Sequence, residues 1–487
     1  MKLNRIWILI LVIATSSFVS AHQVQKAFAL TTITIKSDGS IDPPSAPIAK
    51  TPDNVTYTLT GNITSDEGVT GIVIEKDYIT LDGVGYTLQG AHAGQAVSGV
   101  LLNSVTGVTV RNLRVVFYRY GISVNGGKYN AVWGNTLVAN SQSGISVGGS
   151  NHTIYGNIVN AANETGYIWG QDGIVLVASK YNNITGNTVI GHTLYGIDLD
   201  MYGLTGSSNN ILRNNVMIGN KYNFYVYNGN PSDYWNDIDK SNTVDGKPMY
   251  YWVNQQDRTV PTDAGYVALV QCSGITVQDL VLSKNEQGIL LISTSSSTVT
   301  NCRISQSYDA IYCGWSNGIT ISGNYIFVDD YRGISMVGSS NCIVSQNTVV
   351  FNEEQADRFS LLGFNLASCN NLIITENTIP SDYADYQPKL YLNGCNNATF
   401  TLNNMGDVKM FFYNDANMTF VHNNFLWTEF QFSGTNQLYS WDAGYPSGGN
   451  YWDAVFGDTD AFQGPGQNET GSDGIWDHPF SVGGRLC

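Results

Sequence analysis

The chain has 487 residues, only 13% of them charged, and 39 acids against 23 bases leave a formal net charge of −16. A surface this acidic argues against a nucleic-acid backbone as partner, and a hydrophobic fraction of 43% excludes simple disorder. The 51 Gly and an abundance of Asn call for many turns, and the chain has few of the Ala, Glu, Lys and Leu runs that build long helices.

At the start of the chain, Lys2 and Arg5 precede an apolar run from Ile6 to Ala14, and Val19-Ser20-Ala21 offers small residues for cleavage. Residues 1–29 therefore read as a signal peptide and leader. The run is shorter than the ~20 residues a membrane span needs, and no later run is long enough. The mature chain is expected to have no membrane span and to be secreted, extracellular or at the cell surface, or periplasmic if the source has two membranes.

From residue 30 to 445 the sequence reads as one repeat domain. The phrase apolar, two residues, Asn, one residue, apolar occurs as Val132-Trp-Gly-Asn135-Thr-Leu137 and returns around Asn157, Asn187, Asn214, Asn324, Asn347, Asn377 and Asn403, with shortened variants at Asn112, Asp279 and Asn301. Steps such as Asn135 to Asn157 are 22 residues, and longer steps carry inserted loops. About ten residues after each copy comes Gly, apolar, variable, apolar, as in Gly121-Ile-Ser-Val124 and Gly288-Ile-Leu-Leu291. Period-two alternation marks strands with one buried face. A coil this short cannot bury that face alone, so coils must stack and pair in parallel. The expected fold class is all-β, a single-stranded parallel β-helix of about 13–15 coils, on the order of 65 Å long at ~4.8 Å per strand. The recurrent Asn are expected to stack and to be structural. A corner column of small residues runs through Gly127, Gly149, Ser179 and Gly206, and later through Cys272, Thr294, Ser316, Ser339, Cys369 and Cys395. Cys369 and Cys395 are neighbours in it, placed to stack as thiols or to bond.

Within the array, Tyr222, Tyr225 and Tyr227, with Trp235 in the following loop, form a candidate substrate-binding face, because outward aromatic rings stack on sugars. The competing reading packs these rings under the following loop. Asp198 and Asp200 point outward on one coil and are a weaker candidate. Further on, Asp329, Asp330, Glu353 and Glu354 fall at matching offsets on consecutive coils, beside Arg332 and Arg358. Like charges that close raise a pKa or recruit a cation. Acids holding calcium beside a base would serve a polysaccharide lyase, and two carboxyls alone would serve a glycoside hydrolase. A surface acid–Arg network is the plainer reading.

Residues 446–487 form an Asp/Gly-rich capping segment. Asp453, Asp458, Asp460, Asp473 and Asp477 are candidate metal ligands there, with calcium as the cation such flexible oxygen-rich loops suit. The alternative is a solvated cap over the end of the stack.

Several segments also resemble a known family: Ile41-Asp-Pro-Pro44, Ser241 to Trp252 with Ala264 to Val270, and Gly449-Asn-Tyr-Trp-Asp453 with Ser472 to Asp477. Together with the repeats they resemble the NosD-like periplasmic copper-binding β-helix proteins, in the right-handed, pectate-lyase-like superfamily, and in particular an archaeal surface-protein branch. The resemblance implies a right-handed coil. It also implies copper handling, but the sequence has no Met/His/Cys cluster to carry that over. The leading expectation is a non-catalytic β-helix that binds polysaccharide or serves surface adhesion. A calcium-dependent polysaccharide lyase or glycoside hydrolase comes second, and a copper-binding maturation factor third.

Overall fold

The computed structural model describes residues 28–91, 97–161, 171–199, 206–227, 229–352, 361–380, 387–434, 439–441 and 449–452, and four two-residue strands beyond them. It is an all-β, right-handed parallel solenoid of about fifteen turns with almost no helix, as the repeats imply. Among the described residues no helix is long and apolar enough to cross a membrane.

In the first stack each coil has three short strands. Thr136–Val138, Ala131–Trp133 and Ser143–Ser150 pair in register with Ile158–Asn160, Thr153–Tyr155 and Asp172–Lys180 of the next coil. Alternate residues point inward, so Val132, Leu137, Ile145 and Val147 are fully buried, and each covers the apolar face of the coil beneath.

Side-chain ladders satisfy the polar backbone at the corners. Asn135, Asn157, Asn187, Asn215 and Asn242 run in a column, and from Asn157 on each Oδ1 accepts the backbone N–H and side-chain amide of the preceding rung at 2.8–3.2 Å. A second column runs Asn130, His152, Asn182, Asn210, Asn236. The later coils repeat the device from Asn324 through Asn347, Asn377, Asn403 and Asn423 to Asn450.

Five positions differ from the sequence reading by one residue. The rung is Asn215, because Leu212 and Met217 are the inward residues, and Asn214 takes the positive-φ position before it. Asn112, Asp279 and Asn301 occupy the same turn position at φ 54–58, which Asn and Asp tolerate, and they are not rungs. The rung that follows Asn112 is Leu113, and the one after Asn301 is Cys302, each donating its N–H to the next Asn. In the small-residue column Ser207 follows Ser179, one place on from Gly206.

The array is not one straight stack. Thr243–Val244 turns through Asp245-Gly246 into Lys247–Val253, which lies antiparallel to it. Lys247–Val253 then pairs in parallel with Tyr266–Val270, and Gln287–Ile292, Asp309–Gly314 and Arg332–Val337 follow. The two faces of this sheet serve different cores. Met249, Tyr251, Tyr266, Ala268, Val270, Leu290, Ile292 and Tyr312 join the core of the first stack. Tyr250, Val267, Leu269, Ile289, Leu291, Ile311 and Cys313 line the core of the second. The second stack thus lies across the end of the first and closes it, and its first strands are buried on both faces.

Candidate functional site

The junction of the stacks builds two features. On one side is a cavity of ≈ 930 Å³. Its first-stack wall comes from Tyr181, Ile211, Trp235, Asp237 and Asp239, and its second from Tyr250, Trp252, Gln255 and Arg258. A short 3-10 turn, Pro231–Tyr234, sets the first wall. Tyr234 is buried and its carbonyl accepts the Tyr251 hydroxyl, which leaves the next residue, Trp235, 37% exposed at the cavity. On the other wall the Tyr250 and Trp252 rings meet edge to face at 6.1 Å. Arg258 lies 4.7 Å over Trp252 and donates to Gln255 at 2.7 Å. Arg213 pairs with Asp237 at 2.6 Å and Asp239 at 3.2 Å, so one guanidinium holds both wall acids. Aromatic faces among fixed amide and guanidinium donors suit a ring that is apolar on its faces and hydroxylated on its rim.

On the other side is a buried acid cluster. Backbone bonds from Asn223 N–H to Lys284 O and from Glu286 N–H to Phe224 O tie the stacks together. Around them gather Tyr195, Tyr222, Glu286, Tyr308, Asp309, Asp330, Tyr331 and Arg332. Arg332 pairs with Asp309 at 3.4 Å and lies 4.2 Å over the Tyr331 ring, and Lys221 crosses to Asp330 at 3.0 Å. Glu286 Oε2, Gln287 Oε1 and the Tyr222 hydroxyl are buried without a hydrogen-bond partner. Burial, reinforced by the Asp309 charge, pushes the Glu286 carboxyl well above the usual range, against the pull of Lys221 and Arg332. Burial also raises Asp309 to about 6, opposed by Arg332. That shift favours the protonated form of Glu286, which can donate a hydrogen bond.

The residues singled out in the sequence are distributed as follows. Asp329 accepts from Gln306 N–H at 2.7 Å and from the Asn352 amide at 3.0 Å, so its offset neighbour is indeed one coil away, but its oxygens serve a turn. Asp330 is taken by Lys221 and Arg332 by Asp309. Glu353, Glu354 and Arg358 lie outside the described residues, as do Asp200, Asp453, Asp458, Asp460, Asp473 and Asp477. Asp198 is buried and does not present an outward carboxylate.

The four aromatics are not one face. Tyr222 is 2% exposed, packed between Tyr195 and Tyr308. Tyr225 stacks on Tyr195 at 4.6 Å, and Tyr227 meets Tyr312 edge on at 6.1 Å. Trp235 belongs to the cavity.

Sequence reasoning passed over Glu286, Asp309, Tyr195 and Tyr308. Their signal was a column just before the second phrase, as in Tyr195-Gly196, Glu286-Gln287-Gly288 and Tyr308-Asp309-Ala310.

Cys369 and Cys395 are unbridged, buried thiols. The thiols of Cys272, Cys302, Cys342, Cys369 and Cys395 donate to backbone carbonyls at 3.1–3.4 Å inside the closed core. Among the described residues no three of His, Cys, Asp and Glu are grouped to hold a metal. This donor set does not fit a copper site.

Residues 251–457 match the family described as Periplasmic copper-binding protein (NosD), and residues 98–255 match the Right handed beta helix region. No curated protein matches the chain. Among solved structures, the chain is similar to a tailspike protein of E. coli bacteriophage HK620 in complex with a hexasaccharide, at 10% identity, over 84% of this chain and 70% of that one, with a TM-score of 0.29. The A-module of Azotobacter vinelandii mannuronan C-5 epimerase AlgE6 is 12% identical over 78% and 90%, with a TM-score of 0.29. PfbA, a surface adhesin of Streptococcus pneumoniae, is 9% identical over 78% and 82%, with a TM-score of 0.20. Likenesses this distant say nothing about activity. The two family matches adjoin at the strand that turns from one stack into the other, and between them they cover residues 98–457 of the right-handed parallel β-helix.

Proposed function

We propose that the protein is an exported, cell-surface or periplasmic β-helix that binds polysaccharide in the junction cavity. The observation that carries this reading is that Trp235 and Tyr181 from the first stack and Trp252 from the second line one volume of ≈ 930 Å³ together with Arg258 and Gln255. Aromatic rings in such a cavity can stack on a sugar, and the polar groups beside them can read its hydroxyls. The test is a glycan array with and without calcium, followed by titration of any hit against Trp235→Ala and Trp252→Ala. Loss of stacking should weaken binding about tenfold in each variant. Unchanged affinity in both variants would place the binding elsewhere.

A further inference from the structure

Outside the cavity, one corner of the first stack carries aromatic side chains that the fold does not require. Successive coils place Tyr78, Gly107, Tyr129, Asn151, Tyr181 and Asn209 at the same turn position, linked rung to rung by backbone bonds such as Tyr78 N–H to Thr106 O and Tyr181 N–H to Ser208 O. All six have φ between 54 and 69. Gly and Asn are the residues such a turn favours, and they hold every second rung. Tyrosine is disfavoured there, yet it holds the alternate rungs.

Its rings are not buried to compensate. Tyr78, Tyr129 and Tyr181 are 70%, 65% and 60% exposed. The Tyr78 ring lies down on Gly107, where a Cβ would meet it at 2.5 Å, so the small rung provides the floor on which the ring lies along the corner. Beside this row Trp133 and Tyr155 stack at 5.4 Å on the adjoining sheet. The last tyrosine of the row, Tyr181, is also a wall of the junction cavity.

We infer that this corner is a track for an extended β-1,4-linked polysaccharide that leads into the cavity, a proposal that rests on the cavity's binding sugar. Two coils advance roughly 9.5 Å, which is about the length of one disaccharide in an extended β-1,4-linked chain. Rings on every second coil therefore meet every second sugar on the same face. A helical α-1,4-linked chain turns its sugars out of that register. The continuity of Tyr181 with the cavity wall gives the track its direction.

The experiment is calorimetry on the full chain with a panel of β-1,4-linked oligosaccharides of two to eight sugars, built from glucose, mannose, N-acetylglucosamine or uronate. α-1,4-Linked glucose oligomers of equal length are the mismatched control. For the sugar that binds, affinity should rise in steps as the chain lengthens to six sugars and then level off, and the α-linked series should show no such rise. Tyr129→Gly and Tyr78→Gly should each weaken the long chains about five- to tenfold and leave disaccharide affinity unchanged. Glycine suits the positive φ, so both variants should keep their thermal midpoint, and Tyr129→Phe should bind like the parent. Short oligomers that bind through Trp235 without any gain on lengthening would overturn the track and leave the cavity standing. Long-chain binding that needs Tyr129 but not Trp235 would do the reverse, and no binding across the panel would overturn both.

Discussion

Single buried ionisable side chains give this protein opposing responses to pH. Burial raises Asp172 to about 7, against hydrogen bonds from Tyr195 N–H and Gln142, and raises Asp415 to about 6. A carboxyl raised in the fold adds stability below its unfolded pKa, and that stability is lost as pH climbs through the folded value. For Asp172 the loss runs from about pH 4 to pH 7. His152 has the opposite sign. Burial lowers it to about 4, so its contribution is present above ~6.5 and disappears as pH falls through 4. Thermal midpoints measured from pH 4 to 8 should show Asp172→Asn gaining on the parent across the upper part of that range. His152→Asn, which places an Asn among the Asn of its own column, should gain on the parent below pH 6. Superimposable profiles would show that neither group titrates in the fold.

At the scale of the element, the corner ladder is the unit that matters. Asn377 is fully buried, accepts from the Asn347 backbone and amide at 3.0 and 2.9 Å, and donates to Val344 O and Asn403. Removing it strands donors on the rung before it and an acceptor on the coil beneath, so Asn377→Ala should cost about 2–4 kcal/mol in denaturant unfolding. Asn341 makes a similar but exposed rung with Asn317, and Asn341→Ala should stay within about 0.5 kcal/mol. Equal costs would mean that solvent exposure does not discriminate between ladders.

Ladders of this kind were legible in the sequence because their period repeats. The register slipped by one residue at Asn214, Asn112, Asp279 and Asn301, which hold the turn position before the rung, and at the Asn214-Asn215 pair only the inward face of Leu212 decides between the two. The junction was harder to read. Asp245-Gly246 between Val244 and Lys247 is a hairpin signature, but the strand before it has two residues and makes no periodic pattern. Without that reversal, Trp235 and Trp252 cannot be seen to line one cavity. Glu286 and Asp309 likewise look like ordinary column residues until the first stack is laid against them.

For the molecule as a whole, the shared sheet fixes the angle between the stacks. Ala268 is fully buried, with its methyl turned to the core of the first stack while Val267 and Leu269 face the second. Ala268→Arg forces a charge into the first core without touching the second. The expected result is a more extended particle by small-angle scattering, with a second, earlier thermal transition as the halves part. A single transition at the parental midpoint would mean that the contact contributes little.

That same sheet sets a schedule for synthesis. The tip of the first stack is complete at Val244, yet its covering strands end at Gly314, so the ribosome must deliver about seventy more residues before the tip is shielded. At ordinary elongation rates this takes roughly 4 to 14 s. Throughout that interval Phe224 and its neighbours are an adhesive surface on a nascent chain. A cell that makes this protein has reason to keep the chain unfolded, or held by a chaperone, until the second half has emerged.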